Sequence, residues 1–493
     1  VLTEVTLPEN LVKIGKYAFG YTKALKTVTI NAMGKYGNDK YIADFDNDVF
    51  ASETNYIPDY YVENLIIGKD VPIFGITAVF GTSLSNITID PANKNFDLTD
   101  KKVILSADGT ELLYAFANAI SGTYTVKEGV KVIAANSFAN ATRMTSIVLP
   151  ASVEVIGDGA FRNCGLNSVN FAEGNANSAM KLDIGSQAFY GCPIKGVFTL
   201  PERLTTVGDE AFKNINATEI KFTGNKLTTI GNRAFENCDY LENITLSDGV
   251  TSIGDEAFWF CEKLQTINLP YTIETLGDDM LNKCYSLQAI NVAEGCVKYS
   301  TFGGILYENK DGAPSVLVLC PTLNSGDEEN KVIIPNTVIE VKDSAFVDNN
   351  GIVAIEFADY DPDFMSKNEL KLGEGLFIGA KTLETIKLPK GLKQISSGSF
   401  TGIGTVYYKN VIVPNTVTMI NEDAFGYSLE SITFEEGNTD APLTIADAKS
   451  SSKGVFAKAT KLQQVIFPER TKVIGKYERV SSDMFIYHLL LQL

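Results

Sequence analysis

One unit recurs through nearly the whole chain, and that recurrence constrains the fold more than any other feature. An Ala-Phe dipeptide or a near-variant returns at Phe138, Phe161, Phe189, Phe212, Phe235, Phe258 and Leu281, at a constant spacing that lengthens only once, between Phe161 and Phe189. The series begins at Phe19, Phe50 and Phe80 and resumes after a gap at Phe346, Phe377, Phe400, Phe425 and Phe456. A chain of 493 residues would otherwise suggest about three domains. A fixed period of a few tens of residues instead implies one supersecondary unit stacked on copies of itself.

The best-preserved unit runs from Leu241 to Cys261 and reads Leu-x-x-Ile-x-Leu-x-x-x-Val-x-x-Ile-Gly-x-x-Ala-Phe-x-x-Cys. Ile244 and Leu246 alternate with polar residues, which puts both on one face of a short strand. Proline follows this segment at Pro8, Pro150, Pro201, Pro270, Pro335, Pro389, Pro414 and Pro468. Lacking an amide donor, it ends the ladder there. The Ile-Gly pair that comes next (Ile156-Gly157, Ile230-Gly231, Ile253-Gly254) reads as a turn that other residues resist. The residue after it is Asp158, Ser186, Asp209, Asn232, Asp255, Asp278 or Asp343, types that cap helices, so a single helical turn is expected. Phe and the residue three beyond it would then face inward on one helix side.

Five of the seven cysteines hold that last position: Cys164, Cys192, Cys238, Cys261 and Cys284. Equivalent positions carry Ala141, Ile215, Asn349, Ala380, Ile403 and Ala459, so the site reads as a small buried hydrophobe. A full repeat or more between successive thiols matches no zinc motif. Cys296 and Cys320 fall outside the ladder and flank one insertion, which leaves a bridge between them open.

This constellation resembles the BspA-like leucine-rich repeat of bacterial surface proteins, over about residues 1–475. The resemblance implies an α/β repeat solenoid, a curved superhelix of short strands and single-turn helices. It also implies a cell-surface or secreted location, attachment to host or bacterial surface proteins or glycans, and no transferable catalytic residues. The unit departs from the commoner leucine-rich repeat in lacking an Asn ladder after the strand, with Val153 or Val250 in a shifted position.

Three features interrupt the array, and loops on a rigid scaffold often carry function. Two are hairpin insertions, about 93–122 and 293–330, signalled by Asp108-Gly109 and Asp311-Gly312 between apolar runs. Each reads equally as a structural edge or as a binding loop. The third is the aromatic, acidic insertion 31–65, from which Tyr56, Tyr60 and Tyr61 are the candidate ligand-binding residues. It also holds Asp44, Asp46 and Asp48, which with Asp359, Asp361 and Asp363 form two alternating carboxylate runs. Both are weak calcium candidates, because the glycine and glutamate of an EF-hand-like loop are replaced by Val49 and Asn55 in one and Phe364 and Leu370 in the other. A solvated acidic loop is the simpler reading, and no metal or cofactor is expected.

A formal charge of −18, without a basic stripe, opposes nucleic-acid binding. No apolar run is long enough to cross a membrane as a helix, so this segment is not expected to insert directly. The one histidine, His488, lies in an aberrant tail, 476–493, which removes Ser-His, Cys-His and histidine-metal sites from the array. The chain starts on the closing strand of a repeat and loses the pattern after Ile474-Gly475. A truncated or frameshifted gene fragment, or a natural stop, would each give those ends, and the lack of a signal peptide then carries no information on secretion. The function expected is a non-catalytic extracellular binding or adhesion scaffold. The alternatives are a structural spacer or surface-layer component without a specific ligand and, more remotely, a carboxylate-dependent glycoside hydrolase.

Overall fold

The computed structural model describes residues 1–8, 11, 13–15, 17–31, 44–45, 50–54, 57–72, 76, 84–172, 181–359, 370–400, 408–426, 429–436, 441–450, 453–476 and 485–487. The architecture is a β-solenoid of about 16 turns built on parallel strands, with almost no helix. It divides into two compact units, one of residues 1–241, 249–261 and 275–281, the other of residues 242–248, 262–274 and 282–493.

In the first unit, the repeat period is the strand register. Val132 lies opposite Val155, Thr206 opposite Thr229, Thr229 opposite Ser252 and Ser252 opposite Thr275, in parallel pairs that are each one repeat apart. These short strands belong to a ten-stranded sheet, and all of them but Val132–Ile133 lead directly into a recurrent glycine. The longer strands that open each repeat, such as Met144–Leu149 beside Ser168–Phe171 and Lys195–Leu200 beside Asn216–Phe222, form separate parallel ladders. One face of them is core: Ile147 and Leu149 are fully buried on either side of the part-exposed Val148. Met144–Leu149 and Lys195–Leu200 stop before a proline whose carbonyl then accepts the N–H three residues on, Pro150 from Val153 and Pro201 from Leu204.

The second unit repeats the scheme. Lys331–Ile334, Ala354–Phe357, Thr385–Lys387, Asn410–Val413 and Ser431–Phe434 form one parallel sheet. Gln394–Ile395, Met419–Ile420, Leu443–Ile445 and Thr471–Ile474 form another.

The Ala-Phe segment is not a helix. Among the described residues the only helical segment of more than one residue is the 3-10 turn Ala117–Ala119, so the expected single-turn helices, and the α component of the fold class, are corrected. The reason lies in where the amides go. Phe138, Phe161, Phe189, Phe212, Phe235 and Phe258 donate their backbone N–H to carbonyls of the next turn, Ala160, Ala188, Ala211, Ala234, Ala257 and Met280, at 2.7–2.8 Å. Left-handed residues on either side make this possible: Arg233 (φ 54°) and Asn237 (φ 56°) flank Phe235, and Glu256 (φ 54°) and Phe260 (φ 62°) flank Phe258. A helix would spend those amides within its own turn. Here they form a third inter-turn ladder, so these amides are paired without a helix.

The capping assignment is corrected with it. The oxygen of Asp209 accepts the N–H of Asn232 (2.7 Å), Asn232 that of Asp255 (2.9 Å) and Asp255 that of Asp278 (2.9 Å). Asp158 bonds Ser186 and, in the second unit, Asp343 bonds Glu374, both at 2.8 Å. The residue after glycine therefore ties one turn to the next and caps nothing.

The glycine beside it is explained by proximity, not by an unusual φ. A Cβ on Gly231 would sit 2.6 Å from the Asp209 nitrogen, and one on Gly254 would sit 2.6 Å from the Asn232 nitrogen.

The inward row of phenylalanines forms continuous offset stacks. Centroid separations are 5.1, 5.0, 5.4, 5.4 and 5.3 Å from Phe138 through Phe258, and 5.5, 5.7, 5.4 and 5.6 Å from Phe346 through Phe456. Phe19 and Phe50 stack in the same way at 5.0 Å.

The two Asp-Gly pairs lie at hairpin turns that open a sheet. Val103–Ser106 runs antiparallel to Glu111–Ala115, which then pairs in parallel with Val132–Ile133. Ile305–Lys310 runs antiparallel to Ala313–Leu319, which pairs in parallel with Glu340–Val341. Each hairpin therefore ends one side of a ladder of short strands.

Candidate functional site

The reactive groups inside the array are sealed. Cys164, Cys192, Cys238 and Cys261 are buried, and their thiols donate to the carbonyl of the preceding turn's phenylalanine, Phe138, Phe161, Phe212 and Phe235, at 2.9–3.4 Å. Burial pushes the Cys164 thiol up to about 12 and holds Cys192 and Cys238 well above the ordinary range. These are core side chains, as their exchange with Ala and Ile implied. Asn349 fills the same position by a different route, donating to the carbonyls of Pro321 (2.7 Å) and Asn324 (3.1 Å) and accepting from the N–H of Ile352 (2.9 Å). Cys296 and Cys320 form no disulfide. Cys296 accepts from the Tyr299 N–H at 3.4 Å, whereas Cys320 is fully buried.

Surface chemistry is arranged in rows because outward side chains share the register of the strands. In the second unit Thr266 donates to Asn243 (2.6 Å), Asn268 to Thr245 (2.9 Å) and Asn291 to Asn268 (2.8 Å). Further along, Glu356 lies between Lys331 (2.6 Å) and Lys387 (2.7 Å), which lower its pKa. A groove of about 470 Å³ follows, lined by Lys381, Thr382, Glu384, Lys409, Glu430 and Lys461. Lys409 pairs with Glu384, which raises the pKa of its ammonium. Val353 and Leu383 contribute apolar wall beside these charged side chains.

The sequence-derived candidates fall as follows. Tyr56 lies outside the described residues. Tyr60 ends the strand Ile57–Tyr60, which pairs antiparallel with Ala51–Thr54, and Tyr61 follows it, half-buried. The next residue, Val62, is core, as is Phe50, so the insertion returns to the array on both sides. Asp44 lies in the strand Asp44–Phe45, paired with Lys13–Ile14, while Asp46, Asp48, Asp361 and Asp363 lie outside the described residues. Asp359 is exposed and 3.7 Å from the Lys390 ammonium. Among the described residues no group of three or more His, Cys, Asp or Glu side chains could hold a metal ion. No described helix is long and apolar enough to cross a membrane. Periodicity missed the groove because its residues come from consecutive turns at positions that vary from repeat to repeat, and no single repeat carries a signal for it.

Comparison with known proteins follows the same lines. The family model for the BspA type leucine rich repeat region (6 copies) matches residues 1–98, 112–179, 182–305, 325–441 and 363–478. A leucine rich cell surface protein of Faecalibacterium prausnitzii A2-165 is 22% identical, covers 69% of this chain and 95% of its own, and superposes with a TM-score of 0.45. A leucine-rich repeat protein of Bacteroides ovatus ATCC 8483 is 20% identical over 77% of this chain and 97% of its own, with a TM-score of 0.47. The pneumococcal vaccine antigen PcpA is 18% identical over 76% and 93%, with a TM-score of 0.46. No curated protein matches the chain.

Proposed function

Because the chain belongs to the BspA-type leucine-rich repeat family, whose proteins are generally non-catalytic, we propose that it is an extracellular binding or adhesion scaffold for surface proteins or glycans. The observation that carries this reading is the division of labour within each turn. Inward positions repeat one chemistry, whereas outward positions in the same register change from turn to turn, from Asn243, Thr266 and Ala289 to Lys331, Ala354 and Thr385. A uniform core under a variable ruled surface favours recognition of an extended partner. Within that surface, Tyr56, Tyr60 and Tyr61 are the proposed ligand-facing residues, on the strength of their density in one insertion. Location at the bacterial cell surface goes with the family reading and with the named surface protein of Faecalibacterium prausnitzii.

Probing immobilised host matrix proteins, bacterial surface proteins and glycans with the purified chain tests the reading. Reproducible, saturable binding at micromolar concentration is expected. No hit across the panel would favour the second reading, a spacer whose stacked turns only set distance.

A further inference from the structure

At the corner that follows the opening strand of a turn, the residue two beyond proline is a small hydroxyl residue at Ser152, Thr272, Thr337 and Thr416. In the second unit that hydroxyl reaches one turn back: Thr272 donates to the Asp248 carbonyl at 2.8 Å and Thr416 to the Leu392 carbonyl at 3.0 Å. Arginine takes the same place twice, in Pro201-Glu202-Arg203 and in Pro468-Glu469-Arg470.

Both arginines follow a turn that has lost its corner. Leu149 and Val153 are separated by Pro150-Ala151-Ser152, whereas their counterparts one turn on, Phe171 and Leu182, are separated by residues 172–181. Val413 and Val417 are likewise separated by Pro414-Asn415-Thr416, and their counterparts Phe434 and Leu443 by residues 435–442. The nearest intact corner then lies two turns back, roughly 10 Å at the spacing of parallel strands, beyond the reach of a hydroxyl.

The longer side chain spans that distance. The Arg203 guanidinium donates to the Val153 carbonyl and, at 3.3 Å, to the Pro150 carbonyl. Arg470 donates to the Val417 carbonyl at 2.5 Å and to the Ala441 carbonyl at 3.5 Å. The backbone carbonyls of the same two arginines accept the N–H of Leu182 at 2.8 Å and of Leu443 at 3.0 Å, where the opened turn rejoins the array. Each arginine therefore ties together its own turn, the opened turn and the turn before it. Burying a guanidinium is costly unless acceptors meet it, yet Arg203 is only 4% exposed, and the hydroxyl-bearing corners do without a cation. The longer opening between Phe357 and Leu370 is followed by Pro389-Lys390-Gly391, with glycine in place of the arginine.

We propose that Arg203 and Arg470 are straps that bridge an opened turn, and that the chain between Ala172 and Lys181 and between Glu436 and Ala441 is thereby relieved of holding the stack together. Those two stretches are the positions at which the array admits added or altered sequence. The inference goes beyond the binding reading, because it holds equally for a spacer.

In the full chain, Arg203→Thr is expected to speed amide exchange at Leu182 about tenfold and to lower the melting temperature, and Arg470→Thr to do the same at Leu443. A short Gly-Ser segment inserted between Ala172 and Lys181 is expected to leave both readouts at their parent values. Loss of any buried side chain could lower stability, so the distinguishing variant closes the turn: residues 172–183 are replaced by the Pro-Ala-Ser-Val-Glu-Val of residues 150–155. In that closed chain Arg203→Thr is expected to hold or raise the melting temperature, because a hydroxyl then reaches the restored corner. The proposal is overturned if Arg203→Thr and Arg470→Thr leave exchange at Leu182 and Leu443 unchanged, or if the Gly-Ser insertion costs as much as Arg203→Thr does. It is equally overturned if Arg203→Thr costs as much in the closed chain as in the parent. Should the closed chain fail to fold, the insertion and the Arg470→Thr variant decide the matter.

Discussion

The Asp255 carboxylate accepts the backbone N–H of Asp278, one full repeat away, at 2.9 Å, and Asp255 itself donates to Asn232 in the turn before. The side chain is thus one rung of a ladder that runs along the stack beside the backbone ladders. Its role depends on an acceptor oxygen at a fixed reach, not on charge. Asp255→Asn is expected to leave stability nearly unchanged, whereas Asp255→Ala is expected to cost about 1 kcal/mol. Amide hydrogen exchange at Asp278 checks this locally, since a long array need not unfold in one step. Equal protection in the two variants would refute the rung.

Gly231 lies where the backbone of the neighbouring turn leaves no room for a methyl group. With 2.6 Å between its would-be Cβ and the Asp209 nitrogen, Gly231→Ala has to push two turns apart. A loss of roughly 1–3 kcal/mol is expected in chemical denaturation. An alanine variant as stable as the parent would show that the turns slide apart freely.

Phe235 stacks on Phe212 at 5.4 Å and on Phe258 at 5.3 Å with no exposed surface. Phe235→Ala removes a ring from the middle of the column, and about 3–5 kcal/mol of destabilisation is expected, with a similar figure for Phe258→Ala. Unchanged denaturation midpoints in both would contradict the stacking.

The thiol row gives a pH dependence with a definite sign. Burial raises Cys164, Cys192 and Cys238 above the ordinary thiol value of 9.0, so the folded state keeps protons that the unfolded chain releases in alkali. Their contribution is therefore complete below pH 9.0 and declines as the pH rises above it. In the native chain these thiols are expected to resist alkylation at pH 8 and to react only after denaturant is added, as thiol counting by mass spectrometry would show. Rapid native labelling of Cys164 would mean that the interior is open.

For the tyrosine insertion, the triple substitution of Tyr56, Tyr60 and Tyr61 by Ala is expected to abolish binding to whichever partner the panel identifies while leaving the melting temperature unchanged. The paired measurement matters because Phe50 and Val62 on either side are core residues. A variant that melts early and still binds would assign the three rings to sealing the array.

Much of the architecture was legible in the spacing. The period read along the chain reappears as the offset between paired strands, as from Thr206 to Thr229, the prolines mark strand ends, and Phe235, Cys238, Leu241, Ile244 and Leu246 all turn inward. The groove from Lys381 to Lys461 was not legible, because it exists only when residues tens of positions apart are brought side by side.

What the sequence determined by itself is the set of inward positions and the fact of stacking, since burying a repeated apolar pattern depends only on its period. What the tertiary structure alone decided is how the segment between glycine and cysteine closes. Inward residues three apart suit a helical turn and an alternating left-handed turn equally well. The choice falls to the amides: once a second turn lies within hydrogen-bonding reach, the Phe235 N–H finds the Ala257 carbonyl at 2.8 Å and the Asn232 oxygen finds the Asp255 N–H. Those partners belong to another repeat, so no single repeat, read along the chain, distinguishes a cap from a rung or a turn glycine from one squeezed by its neighbour.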